Sequence, residues 1–165
     1  MRSFLRFAVR DAILLAITAL ALTLDASRAV HGSWGLALGV LTGILVPYVG
    51  FLVHEWGHLA GALLSGGRAH PPPSLASFFL FYFDVEASTR RQFLAMSYAG
   101  YLATLGVIGA LALWIDPTRV SGQLSLTLSV VGIGVTLARE VPTTWRVARG
   151  GPLPAGGVYR GTPPG

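Results

Sequence analysis

Apolar residues run in four long stretches along the chain, separated by short polar breaks. The first begins at Phe4 and ends at Leu24, with Arg6 and Arg10 near its start. That length suits a membrane helix, which needs about 20 apolar residues. A secretory signal peptide is the alternative, because Ser27-Arg28-Ala29 places small residues where a signal peptidase reads and allows cleavage after Ala29. The charged segment is long and apolar between its arginines, so we read residues 4–24 as a retained first membrane helix. Asp11 beside Arg10 is a candidate ion pair.

The second stretch runs from Trp34 to Leu64. At about 1.5 Å per residue it is too long for one upright span. Pro47 lies inside it and predicts a kink. We read residues 34–65 as one kinked or tilted span ended by Gly66-Gly67. Pro71-Pro72-Pro73 then forbids regular helix. The aromatic run Phe78 to Phe83 is too short to span, so it is a strand or an interfacial segment. A third span covers Phe93 to Ile115, Asp116 to Arg119 form a turn, and a fourth span runs from Leu124 to Ala138 or beyond. The expected architecture is an all-α membrane protein of about four transmembrane helices with a short aromatic cytoplasmic loop, either β or interfacial. Residues 1–149 form a single polytopic domain. Residues 150–165 are Gly- and Pro-rich and are expected to be a disordered tail.

Composition agrees with this pattern. The chain is 53% hydrophobic and only 12% charged, against about 25% charged in soluble domains. The net charge is +5, and apart from histidine every basic residue is arginine. These arginines cluster at the ends of apolar stretches, where they set topology rather than bind nucleic acid. Arg2, Arg6, Arg10, Arg68, Arg90, Arg91, Arg139, Arg146, Arg149 and Arg160 fall on one side of a four-span arrangement, and Arg28 and Arg119 on the other. The asymmetry predicts a multi-pass protein with both termini cytoplasmic. Cysteine is absent, so disulfides and thiolate metal sites are excluded.

One motif carries chemistry. His54-Glu55-Trp56-Gly57-His58 lies within the second apolar stretch. On a helix, histidines at i and i+4 project from one face and can hold one metal ion, with the intervening glutamate as general base. Ionisable residues at membrane depth are costly and usually functional. The spacing therefore predicts a Zn2+ site with His54 and His58 as ligands and Glu55 as the catalytic base, about 12–18 Å inside the cytoplasmic end of the helix.

Zinc hydrolases generally use three protein ligands. Leu64 rules out a third histidine in the register that extends the motif. Glu140, Asp84, Glu86, Asp116, His70 and His31 remain as candidates. Glu140 is preferred. With helix continuing past Pro142 it lies about 13 Å from the cytoplasmic end of the fourth span, at the depth of the two histidines. Asp84 and Glu86 stay open if the aromatic loop folds inward. Asp116 and His31 fall on the far side, and His70 is too close in sequence to arrive easily.

His54-Glu55-Trp56-Gly57-His58 in a membrane helix resembles the HExGH motif of the site-2 protease family of intramembrane zinc metalloproteases. In that family the motif is followed by a loop with strands, an A-G-P-x-x-N segment and a helix carrying an aspartate ligand. Ala99-Gly100-Tyr101-Leu102-Ala103-Thr104 is similar to the second element, with Tyr101 for proline and Thr104 for asparagine. Arg139-Glu140-Val141-Pro142 stands where the family has its aspartate. The resemblance spans roughly residues 45–148. It implies an intramembrane zinc metalloprotease that cleaves a transmembrane protein substrate by metal-activated water.

A substrate helix must unwind before its carbonyls are accessible. The run 78–83 could offer a strand edge to hold it, although an interfacial belt is the preferred reading. Gly57, Ala60 and Gly61 predict close helix packing beside the site. Membrane lipids and a regulatory membrane protein are the other expected partners, and nucleic acid is not. Two functions compete: a non-catalytic membrane scaffold or chaperone that keeps the protease fold, and a zinc hydrolase acting on lipid or another small amide or ester. A transporter is disfavoured, because nothing suggests a two-repeat translocation path.

Overall fold

The computed structural model describes residues 2–27, 29–77, 79–156 and 158–160. Arg28, at the conceivable cleavage site, and Phe78, at the head of the aromatic run, lie outside the described residues. The elements in order are α1 (Arg2–Ser27), α2 (Gly32–Leu64), β1 (Ala69–His70), β2 (Tyr82–Asp84), α3 (Arg90–Trp114), α4 (Val120–Ala148) and β3 (Tyr159–Arg160).

All four helices are long and apolar enough to cross a membrane, the signature of a multi-pass membrane protein. Leucine, isoleucine and valine are exposed along their outer faces, including Leu5, Ile13, Leu20, Leu41, Leu102 and Val130. α2 has 33 residues and is about 50 Å long. It continues through Pro47, and α4 continues through Pro142. Hence the second span is a single helix, and the fourth reaches well beyond Ala138.

Small residues set the spacing of α2 and α3. A Cβ on Gly57 would lie 2.6 Å from Ala103 Cβ and 2.8 Å from the Ala99 carbonyl oxygen. A Cβ on Gly61 would lie 2.6 Å from both the Ala95 carbonyl oxygen and Ala99 Cβ. The backbones approach this closely because nothing projects between them. Ala60, grouped with these glycines in the sequence, is exposed instead and takes no part in the contact.

α2 ends at a turn in which Gly66 has φ of 77°, and Gly67 N–H donates to the Ala62 carbonyl at 2.8 Å. α3 starts with a capping box between Thr89 and Gln92, and Gln92 Nε2 donates back to the Ser65 carbonyl at 3.3 Å. The capping pair thus also joins the two helices that flank the site.

The strands form one small sheet in the order β1-β2-β3. β1 pairs antiparallel with β2, with Ala69 opposite Phe83. β3 pairs parallel with β2, with Phe83 opposite Tyr159. Two expectations change here. The aromatic run is not an interfacial belt: Leu80, Phe81 and Phe83 are buried in a core with Phe7, Leu59, Phe93, Met96 and Val147. Only Phe79, among its described residues, is substantially exposed. Its strand is also the middle one, so β2 has no free edge for a substrate. Nor is the segment after α4 simply a tail. Leu153 and Tyr159 pack on the same core, and Val158 O accepts from Phe83 N–H at 2.9 Å. Residues 161–165 lie outside the described residues.

α1 closes the bundle at this end. Arg10 Nε pairs with Asp11 Oδ1 at 2.6 Å, as the sequence suggests. Asp11 Oδ2 accepts from Trp56 Nε1 at 2.8 Å, reaching into the histidine motif. Arg6 donates to the Pro72 carbonyl at 3.1 Å and Arg10 to the Leu75 carbonyl at 2.5 Å. One turn and a half of α1 thereby holds both the motif helix and the loop that leads to β2.

Candidate metal centre

His54 and His58 stand one turn apart on α2 and turn the same way. Their Nε2 atoms are 3.0 Å apart, and the ring planes are nearly perpendicular. From α4, Glu140 brings Oε1 to 3.3 Å from His54 Nε2 and Oε2 to 3.3 Å from His58 Nε2. These three residues form a group that could hold a metal ion, with donor atoms all within 4.8 Å of one another. Both histidines are buried, and the Glu140 side chain retains 26% exposure.

The other ring nitrogens fix what the Nε2 atoms can do. His58 Nδ1 lies 3.0 Å from the Met96 carbonyl oxygen. A carbonyl only accepts, so Nδ1 carries the proton. His54 Nδ1 lies 2.8 Å from Thr104 Oγ1 and 3.2 Å from the Gly100 carbonyl. Thr104 Oγ1 itself donates to that carbonyl at 3.1 Å, leaving a lone pair for the imidazole. In the neutral rings both Nε2 atoms are then bare lone pairs facing each other and a carboxylate. Three acceptors converge with no donor among them. Glu140 Oε2 makes no aligned hydrogen bond and is buried.

Such a cluster is unfavourable without a cation at its centre. The spacing fits one. Two bonds of about 2.0–2.1 Å at a tetrahedral angle put ligand atoms about 3.3–3.4 Å apart, close to the 3.0–3.3 Å seen here. The Nδ1 contacts supply the outer hydrogen bonds that orient metal-ligating imidazoles.

Glu55 is buried beside this group and accepts from the Leu80 N–H at 3.3 Å through Oε2. It lines two cavities that meet at the site. The larger, about 540 Å³, lies between α2 and α4 and also touches His54 and Glu140. The smaller, about 60 Å³, lies under β2 and β3 between Glu55, His58, Glu140 and Tyr159. Burial pushes the Tyr159 hydroxyl well above its ordinary pKa, and the negative charge of Glu140 adds to the effect.

The remaining candidates are elsewhere. Asp84 is fully buried but faces His70 Nε2 at 3.3 Å and accepts from the Ala87 N–H at 3.0 Å. Glu86 is exposed. Asp116 lies in the turn between α3 and α4 and accepts from the Thr118 hydroxyl and N–H and from Arg119 Nε. His31 precedes α2 at the end remote from the motif.

Several supporting residues escaped the sequence reading. Tyr101 OH and Thr144 Oγ1 lie 2.8 Å apart, tying α3 to α4 one turn beyond Glu140. The i+4 spacing of Glu140 and Thr144 was the available signal. Asp11, Met96, Leu80 and Tyr159 act across distances that periodicity does not reach. No protein-family model, curated protein or solved structure matches the chain, so the site rests on its own geometry.

Proposed function

We propose that this protein is an intramembrane zinc metalloprotease of the site-2 protease type, with both termini cytoplasmic and a transmembrane protein as substrate. One observation carries the reading: the Nε2 atoms of two imidazoles and a carboxylate converge on a common centre beside a second buried carboxylate, while both Nδ1 atoms face backbone carbonyls.

His54, His58 and Glu140 would hold zinc. When bound, it would supply Lewis acidity toward the scissile carbonyl and make a water acidic enough to ionise near neutral pH. Glu55 is the base. The Leu80 N–H holds its Oε2, so the carboxylate is oriented before substrate arrives. It takes a proton from water and returns it to the leaving amine. The apolar cavity between α2 and α4 accepts the locally unwound substrate and keeps bulk water from its backbone. Its apolar lining and volume of about 540 Å³ also suit a lipid amide or ester, the competing substrate class. The scaffold reading keeps the fold without the chemistry.

The decisive measurement is zinc content of the full chain purified in detergent, for wild type, His54→Ala and Glu140→Ala. About one zinc per chain, lost in both variants, is expected. Hydrolysis of a reconstituted transmembrane peptide, abolished in Glu55→Gln, then separates protease from scaffold. Zinc-free protein after metal-replete preparation would overturn the hydrolase reading.

A further inference from the structure

Resting on the protease reading, we propose that Arg139 selects substrates that carry an acidic side chain close to the scissile bond. The cavity between α2 and α4 has apolar walls over most of its length, among them Tyr48, Phe51, Val107, Leu128 and Leu137. The charged and metal-ligating residues among its lining are His54, Glu55, Glu140 and Arg139, the last of them exposed. The first three are accounted for by the metal and the base. Arg139 is the sole arginine among the lining residues, and none of them is a lysine.

Among the described residues its guanidinium has no hydrogen bond or ion pair; its carbonyl accepts from Thr143 Oγ1. It is not there to neutralise Glu140. Neighbours in a helix point about 100° apart, and Glu140 turns to the two histidines.

Depth makes an unpaired guanidinium here informative. Arg139 is about 14 Å from the end of α4 at Ala148. A centred helix of 29 residues leaves about 7 Å outside a hydrocarbon layer of about 30 Å at each end. Arg139 therefore starts about 7 Å below the hydrocarbon boundary, beneath the phosphate level. A charge at such a depth is costly and marks a ligand or a pathway. The complementary ligand is an anion within an otherwise apolar segment, and a carboxylate fits the planar guanidinium fork. An aspartate or glutamate in an unwound peptide meets both conditions at this depth. A lipid phosphate meets them when the extended side chain climbs the same distance of about 7 Å, and the vesicle comparison below separates the two sources.

The test uses the 165-residue chain with Glu55→Gln, which binds without cleaving, in phosphatidylcholine vesicles. Fluorescent transmembrane peptides differ only in Asp, Asn or Lys beside a central helix-breaking pair. The Asp peptide should bind about tenfold or more tightly than its Asn isostere. Adding Arg139→Gln should erase the difference, and Arg139→Glu should shift preference to the Lys peptide. Zinc content of each variant reports whether the site remains intact. Equal binding of Asp and Asn peptides, a preference that survives Arg139→Gln, or no binding of any peptide would overturn the assignment. So would loss of the preference in vesicles containing phosphatidylglycerol, which would give Arg139 to lipid. Cleavage of the Asn peptide by the wild-type chain reports the protease reading separately. Charge-dependent binding without cleavage would keep the role of Arg139 and sink the hydrolase.

Discussion

Gly100→Ala should cripple metal binding although Gly100 is not a ligand. A Cβ at this position would fall on Nδ1, Cε1 and Nε2 of the His58 ring. Restoring ordinary contact, about 3.5 Å, requires the ring to retreat by roughly 1 Å or more. It has nowhere to go. His58 Nδ1 is held by the Met96 carbonyl at 3.0 Å, and the His54 ring stands across it with centroids 4.4 Å apart. Metal–ligand distances tolerate only about 0.2 Å, so a shift of that size removes His58 from the ligand set. Disturbing an outer-shell partner alone costs about 10–100-fold in affinity. Displacing a ligand should cost at least the upper end of that range, with about 1–3 kcal/mol of overpacking strain besides. Gly106→Ala and Gly109→Ala are the controls, because a Cβ at either meets nothing within 4 Å. These should leave affinity unchanged and stabilise α3 by up to about 1 kcal/mol. Zinc affinity by chelator competition, with thermal unfolding of the same samples, checks both. Wild-type affinity in Gly100→Ala would refute the packing argument and remove His58 from the site.

Three further outcomes are expected. Thr104→Val removes the acceptor nearest His54 Nδ1 and should weaken zinc binding about tenfold, while Thr104→Ser keeps the hydroxyl and the affinity; equal losses in both would disprove the hydrogen-bond role. Asp11→Ala removes the acceptor of the half-buried Trp56 indole N–H and should cost about 1 kcal/mol in thermal or denaturant unfolding. Asp11→Asn, whose amide oxygen still accepts, should recover most of it, and the Trp56 emission shift should follow the same order. In the α3–α4 turn the Thr118 hydroxyl and N–H, followed by Arg119, hold the Asp116 carboxyl below its ordinary value. A depressed folded pKa gives stability that is present above the unfolded value near 3.9 and lost as pH falls through the folded one. Asp116→Asn should therefore flatten the small acid-side decline in melting temperature below about pH 4; an unchanged decline would show that other carboxylates cause it.

What was legible in the chain and what was not divides by range. The four apolar helices and the His54, His58 pair follow from composition and a 3.6-residue period, which are local properties. Glu140 was reachable because depth can be counted along a helix from its charged end. The loop could not be read that way. Phe81 and Phe83 have the same aromatic character whether they face lipid or a core, and what decides is β3, which arrives from some 75 residues later to pair with Phe83. The composition of residues 150–160 suggests disorder for the same reason: Leu153 and Tyr159 are isolated apolar positions until the core that receives them exists. Asp84 stayed open as a ligand because only the antiparallel β1–β2 pairing brings His70 to it. Asp11 was correctly given to Arg10, yet its second oxygen serves Trp56, 45 residues away.

The two positions at which the chain departs from the A-G-P-x-x-N pattern it resembles are the ones most easily taken as damage. Both are occupied by residues that hold the site. Thr104, where the resembled pattern has asparagine, accepts from His54 Nδ1 and donates its hydroxyl to the Gly100 carbonyl, so it favours the proton on Nδ1 and leaves Nε2 bare toward the centre. Tyr101, where the resembled pattern has proline, has a backbone N–H for α3 and brings its hydroxyl 2.8 Å from Thr144 Oγ1. That bond fixes the rotation of α4 one turn from Glu140, where Pro142 removes an N–H from the helix's hydrogen-bond ladder. A glutamate is one methylene longer than an aspartate and has one more rotatable bond, so an ordered α4 matters more here than with the shorter side chain. Tyr101→Phe is the corresponding perturbation. It should keep zinc at full occupancy while raising the rate of zinc loss to a chelator, because the ligand set is intact and only the restraint on α4 is gone. A zinc-loss rate equal to wild type would mean that α4 needs no such tie and that Tyr101 is a packing residue alone.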